Sequence, residues 1–368
     1  MNVSRETRPT VSIIIKALNE ERHIAEAIES AIGALGESDG EVILADGGSS
    51  DRTVEIARRY PILIVRLNRS EDRSCGAGAQ LGFQYSRGRH LLLLDGDMRV
   101  HSGFLAAAID TLNRNPNLAG VGGVLSEPGV VNEEYEQRRK RHNPDRRPGH
   151  VTRLDGAGLY RRTAIESIGY LTDRNLHGAE ELELGARLHS AGWALAKLDR
   201  AIAHHEPHTG SAYRQLLRRV RSRNASAPGE LLGAAMGRQH FWFVMRNDRQ
   251  WWIALLVAGW WIALLTTLAL PGGFSASAAV GVFLFPFAGM SLRWRSVRLG
   301  IYSVAVWNVI ALCFLPGLLR PRISPASWIE STVLRDLPHE RDRTAHHGYQ
   351  IPGRESLHAR RDAEEAKS

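Results

Sequence analysis

Short apolar runs alternate with helix-like segments from Val11 to about residue 100. Val11–Ile15, Glu41–Ala45, Ile62–Leu67 and Leu91–Leu94 have strand length and little polar interruption. Such runs fit strands covered on both faces, which need not alternate. Between the first two, Ile24, Ala27, Ile28 and Ile32 recur at helical spacing behind Asn19-Glu20-Glu21, whose acids suit a helix N-terminus. Thr53–Arg59 and Ala79–Ser86 also read as helices. This alternation predicts an α/β fold with a mostly parallel sheet flanked by helices. Residues 154–205 resume the mixed pattern, with a helix over Glu180–Ala191 and a strand-like Trp193–Ile202. The polar stretch Glu133–His150 predicts a mobile loop. It fits a solvated charge run best, with a lid or a contact to anionic lipid as the functional alternative.

Past residue 250 the pattern changes. Trp251–Leu270, Phe274–Leu292 and Leu299–Leu319 carry no charge over 20, 19 and 21 residues. Each is long enough to cross a bilayer. Tryptophans such as Trp251, Trp252 and Trp294 lie near their ends, as in interfacial belts. The expected organisation is an α/β domain over 1–225, an interfacial linker over 226–250 and a transmembrane region of two or three spans over 251–320. A charged, flexible tail over 321–368 completes it.

Charge refines this picture. The 368 residues carry a net +8, mostly from Arg near the apolar segments. That favours an anionic membrane face, and no basic-aromatic module points to nucleic acid. Arg246 and Arg249 precede the first run, and Arg293, Arg295 and Arg298 follow the second. By the positive-inside rule both flanks are cytoplasmic, giving a multi-pass inner-membrane protein with a cytoplasmic α/β domain. A third full span would send an Arg-rich tail outside, so Leu315-Pro316-Gly317 fits a re-entrant or interfacial segment as well as a span. Cys75 and Cys313 lie far apart in unlike settings, which predicts no disulfide. Charged residues open the chain and the Val11–Ile15 run is too short for a signal peptide, so none is expected.

Four segments carry candidate chemistry. Leu94-Asp95-Gly96-Asp97 puts two carboxylates at a strand's end, where open α/β sheets bind ligands. Paired hard oxygens suit Mg²⁺ or Mn²⁺, although a polar turn fits the same triplet. Asp46-Gly47-Gly48-Ser49-Ser50-Asp51 follows another strand; Asp46 suits a base or ribose contact, and Asp51 a helix cap. Glu180 and Glu181 are expected at an exposed first turn, where the helix dipole would keep them ionised and able to deprotonate a hydroxyl. His204-His205-Glu206-Pro207-His208 offers a metal ligand or a structural histidine. Gly76-Ala77-Gly78-Ala79-Gln80-Leu81-Gly82 lacks the strand and acid of a dinucleotide fingerprint, which leaves a pyrophosphate-supporting loop or close packing. Gln215-Leu216-Leu217-Arg218-Arg219 lies on a basic helix.

Together VSIIIKALNEERHIAEAIES, EVILADGGSSDRT, GRHLLLLDGDMRV, DGAGLYRRTAIESIGY and AEELELGARLHSAGW resemble a family 2 glycosyltransferase of GT-A fold over residues 9–225. The resemblance implies that Asn19, Glu20, Asp46 and Asp95 bind the nucleotide. It makes Asp97, with Asp95, the metal–diphosphate motif; the histidine run separately offers His204 as a candidate third ligand. Glu181, beside Glu180, stands where the family has its base. It implies a divalent Mg²⁺ or Mn²⁺ cofactor, a nucleotide-sugar donor, a lipid-linked or glycan acceptor and inverting transfer. Gly47 stands where many members carry a second Asp, Glu181 replaces Asp, and Arg219 replaces the Trp of processive synthases. A sugar-phosphate nucleotidyltransferase would want a basic Gly-rich loop where Lys16–Glu20 stands; a non-catalytic scaffold would not need Asp95, Asp97 and Glu181. Since the motifs end before Arg223, a chain cut near residue 245 is expected to keep its donor site.

Overall fold

The computed structural model describes residues 9–36, 39–126, 132–140, 147–205, 210–269 and 273–337. In chain order the first half reads β1 (Val11–Ala17), α1 (Ile24–Leu35), β2 (Gly40–Asp46), α2 (Thr53–Ala57), β3 (Leu63–Leu67), α3 (Cys75–Tyr85), β4 (His90–Asp95), β5 (Met98–Val100), α4 (Phe104–Arg114) and β6 (Leu118–Ser126). Then come α5 (Glu133–Lys140), β7 (Gly149–Val151), β8 (Gly158–Arg161), α6 (Arg162–Ser167), α7 (Glu180–Ser190), β9 (Ala194–His205) and α8 (Ala212–Arg221). The rest is α9 (Ala227–Ala235), α10 (Phe241–Asn247), α11 (Gln250–Ala269), α12 (Gly273–Trp294), α13 (Val297–Leu318) and β10 (Ser331–Arg335).

Among the described residues the strands form one sheet in the order β10-β3-β2-β1-β4-β8-β6-β9-β5, with β7 on β9. The segment β3-β2-β1-β4 is parallel; beyond β4 the sheet is mixed, because β8 joins both β4 and β6 antiparallel. Side-chain alternation sorts the central strands between two cores. Ile13, Ile15, Leu92 and Leu94 enter one, and Ile14, Leu91 and Leu93 the other. Both faces are covered, which explains why these strands read as unbroken apolar runs.

Three expectations change. The acidic start of Glu133–His150 forms α5, not a loop. It is held by Arg298, which reaches Glu133 and Glu136, and by Arg219 on Glu134. Residues 226–250 are packed helices rather than a linker, with Leu231, Ala235 and Val244 buried against Leu182 and Ala186 of α7. The post-helix segment is not a free tail as far as Arg335: β10 pairs antiparallel with β3. Ile329 exchanges hydrogen bonds with Gln84, whose Oε1 accepts from Ile329 N at 2.8 Å. Residues 338–368 lie outside the described residues.

The helices α11, α12 and α13 are long and apolar enough to cross a membrane by length and composition.

Candidate active site

The C-terminal ends of β1, β2 and β4 lie side by side and carry Lys16, Asp46 and Asp95. Register places Lys16 opposite Asp95, so their side chains leave the same face of the sheet. Lys16 Nζ lies 3.1 Å from Asp95 Oδ1 and 2.9 Å from Glu180 Oε1. It ties the first half of the sheet to the start of α7. Burial works against the Lys16 charge, but Asp95 and Glu180 outweigh it and raise its pKa well above the usual lysine value. Burial also raises Asp95, which Lys16 partly offsets.

The α7 N-terminus departs from expectation. Glu180 is buried, and Glu181 is half-buried rather than exposed. The helix-dipole argument predicts a depressed pKa, yet Glu181 is pushed up to about 8 by burial and the adjacent Glu180, with Lys16 pulling the other way. Desolvation wins because a charge inside a protein loses far more hydration energy than a helix terminus returns. Ala179, in the left-handed region at φ 62°, sets the turn. Just before it, a Cβ on Gly178 would come within 2.5 Å of Asn224 Nδ2. Lys16, Glu180 and Glu181 line a small cavity with Asp155, Gly156 and Tyr160. Asp155 is engaged by Lys197 at 2.6 Å.

Asp97 leads into β5, which pairs with the end of β9 so that Met98 faces His205 and Arg99 faces His204. This brings His205 to the site: its Nε2 lies 3.4 Å from Asp97 Oδ2. His204, the histidine singled out from sequence, is one residue along a pleated strand, across from Arg99. Only the β5–β9 register distinguishes the two, and a run of adjacent histidines does not reveal it. His208 lies outside the described residues. Burial and the nearby Asp97 push Glu20 up to about 7.

Asn19 and Glu20 interlock with the loop after β2. Asn19 adopts φ 59°, which a short polar side chain tolerates, and its Oδ1 accepts from Ser50 N at 2.8 Å. Glu20 N donates to Thr53 Oγ1 at 2.8 Å. Asp46 is buried inside its own loop, accepting from Gly48 N and Ser49 N, with Arg66 Nε at 3.4 Å. Its carboxylate shapes the loop rather than facing outward. Arg73 Nε closes the same loop on Gly47 O at 2.8 Å. Asp51 caps α2 through Thr53 N, as its position predicts. The glycines around Gly76 serve close packing: a Cβ there would stand 2.0 Å from Asp173 O.

Residues 12–169 match Glycosyl transferase family 2. This chain carries a family 2 glycosyl transferase domain. The domain's relatives include Glycosyltransferase AglE of Haloferax volcanii, 30% identical over 35% of this chain and 45% of that protein. Another is the uncharacterised glycosyltransferase EpsJ of Bacillus subtilis, 28% identical over 47% of this chain and 54% of that protein. The chain thus spans about half the length of these curated relatives. The N-acetylglucosaminyl-diphospho-decaprenol L-rhamnosyltransferase of Mycobacterium tuberculosis is 26% identical over 46% of this chain and 67% of that one. The mannosyltransferase PcManGT of Pyrobaculum calidifontis, solved with GDP-Man and Mn²⁺, superposes with TM-score 0.56 at 18% identity. That match covers 84% of this chain and 88% of PcManGT, and supports a GT-A-like fold. Lys16 and His205 are the site residues that the sequence reading did not select. A lysine closing the otherwise apolar Ile13-Ile14-Ile15 run was the available signal for the first.

Proposed function

We propose that this chain transfers a sugar from a nucleoside-diphosphate sugar to a lipid-linked or glycan acceptor hydroxyl, with inversion at the anomeric carbon. The carrying observation is the meeting of Lys16, Asp95, Glu180 and Glu181 at the C-terminal edge of the parallel strands. Asn19 and Glu20, interlocked with the Asp46 loop, would cradle the nucleoside. Asp97, with Asp95 nearby and His205 against it, would hold a divalent ion. One or two carboxylates plus substrate phosphate oxygens suffice for such an ion, and an imidazole favours Mn²⁺ over Mg²⁺. Among the described residues no three His, Cys, Asp or Glu side chains converge as a ready-made metal cage. When bound, the ion would neutralise charge on the departing diphosphate.

The chain's own residues divide the remaining work. Glu180 is locked to Lys16, which leaves Glu181 as the carboxylate at the cavity to accept the acceptor's proton. A base pushed up to about 8 holds a proton more strongly than an ordinary carboxylate, so it drives deprotonation better once ionised. Lys16 pairs with Glu180 at 2.9 Å and so fixes that carboxylate beside Glu181. The apolar helices would keep the site beside lipid headgroups, with the catalytic domain on the cytoplasmic face of the membrane.

The test is a panel of nucleotide sugars, each with and without Mn²⁺ or Mg²⁺, followed by anomeric configuration of the product by NMR. Metal-dependent turnover of at least one donor with an inverted product is expected. Turnover that ignores chelation, or a retained configuration, would overturn the reading.

A further inference from the structure

We propose that only α11 and α12 cross the bilayer, as a hairpin, while α13 lies on the leaflet of the catalytic side with its uncovered face on lipid. This rests on the reading that the apolar helices are membrane-embedded.

The argument is one of parity. The chain enters α11 directly from the catalytic domain, where Trp251 Nε1 donates to Met245 O at 3.3 Å. After α13 it returns to that domain. Arg320 pairs with Glu230 of α9, Arg322 pairs with Asp173, and β10 adds to the edge of β3. A segment that begins and ends on one side of a bilayer crosses it an even number of times. Three apolar helices therefore supply two crossings and one helix that does not cross.

The contacts of α13 identify it as that helix. At its start, Gln137 Nε2 of α5 donates to Leu299 O at 3.1 Å and to Ser303 Oγ at 2.8 Å. Arg298 Nη2 donates to Glu136 Oε2 at 2.8 Å. At its end, a Cβ on Gly229 of α9 would come within 2.0 Å of Phe314 O, and one on Gly317 within 2.3 Å of Ser226 O. Its 22 residues span about 33 Å, the thickness of the hydrocarbon core. A crossing helix delivers its ends to opposite surfaces, and one water-facing domain with ion pairs cannot meet both. α11 and α12 also hold to each other, with Trp260 Nε1 donating to Val282 O at 2.8 Å. The hairpin ends where α13 begins, as Trp294 Nε1 donates to Ser303 Oγ at 3.0 Å. Trp261 Nε1 holds α13 to α11 through Asn308 Oδ1 at 2.9 Å.

Lipid is the occupant of the uncovered face. Ile301, Leu312, Leu315 and Leu319 are large, aliphatic and exposed, and the helix is continuous with a membrane hairpin. Arg293 and Arg295 precede it and match an anionic headgroup layer.

The experiment uses the full chain in its native membrane with Cys75 and Cys313 replaced by Ser. Single cysteines go in as Asn115→Cys on the catalytic domain, Gly272→Cys between α11 and α12, or Ser324→Cys after α13. A membrane-impermeant maleimide is applied to each face in turn. The expected result is that Asn115→Cys and Ser324→Cys label from one face and Gly272→Cys from the other. Labelling of Ser324→Cys with Gly272→Cys, opposite Asn115→Cys, would mean three crossings and overturn the proposal. Labelling of all three from one face, with release by alkaline carbonate, would overturn the membrane reading itself. Protease protection of a C-terminal epitope on the otherwise unaltered chain supplies the same comparison should the cysteine-free protein fail to fold: digestion from the catalytic face is expected, and protection there overturns the hairpin.

Discussion

Replacing Lys16 by methionine keeps the length of the side chain and removes its charge. In the native structure that charge stands 2.9 Å from Glu180 and 3.1 Å from Asp95. With an effective dielectric constant near 20, a pair at that separation attracts by about 6 kcal/mol before desolvation. Desolvation of both partners removes much of this, and deleting one member of a buried pair typically costs about 3–5 kcal/mol. The Glu180 contact, 5% exposed, accounts for most of the loss, because Asp95 is 31% exposed and partly screened. Lys16 has a raised pKa, so its contribution is fully present below the ordinary lysine value of about 10.5 and fades only as pH climbs through the folded value. The loss in Lys16→Met should therefore appear in full at pH 7 in denaturant unfolding. A second readout is independent of stability. Lys16 lowers Glu181, which stands at about 8. Without the lysine, the pH at which transfer reaches half its maximum should move upward, and Lys16→Arg should bring it back toward the wild-type position. Unfolding within about 1 kcal/mol of wild type at pH 7, with an unshifted pH profile, would refute the reasoning.

Glu181→Gln should retain donor binding by calorimetry while transfer drops about 10²–10⁴-fold, the usual loss of a general base. In the wild type, transfer should rise as pH rises through about 8, since Glu181, as the proposed base, would act only when ionised. Asp97→Ala should abolish Mn²⁺-dependent binding of a nucleoside diphosphate with the circular-dichroism spectrum unchanged. His205→Ala should weaken Mn²⁺ binding, raising the Mn²⁺ concentration needed in a metal titration, and His204→Ala should not, because His205 stands against Asp97. Deleting everything after residue 319 should destabilise the catalytic domain by several kcal/mol in thermal unfolding, since Glu230 is left buried without Arg320 and β3 without β10.

The parallel half of the sheet was legible because strands covered on both faces must be apolar, and Ile13–Ile15 and Leu91–Leu94 are so throughout. The carboxylates at its edge were legible for the same reason: Asp95 ends such a run abruptly. What escaped depends on pairings between distant segments. Nothing local in Ala203-His204-His205 says which histidine meets Asp97, because that follows from the β5–β9 register. Glu180 and Glu181 look exposed by helix position, yet α9 and α10 pack over the α7 flank and Lys16 reaches Glu180 from β1. Ser331-Thr332-Val333-Leu334-Arg335 has strand-like residues, but its charged surroundings hid it. A cut near residue 245, harmless by motif position, would in fact remove β10 and the Arg320–Glu230 pair from the domain.

The return of the chain to β3 has a consequence for biogenesis. Thr332 Oγ1 donates to Asn68 Oδ1 across 264 residues of sequence, and all the apolar helices lie inside that interval. On the ribosome the first strands emerge long before their edge partner, and closing so long an interval is slow. Until β10 arrives, the edge of β3 is open to pairing with another chain, the usual route to aggregation. Translation order thus makes delivery of the hydrophobic helices a precondition for sealing the catalytic sheet. A nascent copy that misses its membrane would remain an unfinished sheet with an adhesive edge, the kind of species that chaperones and proteases remove.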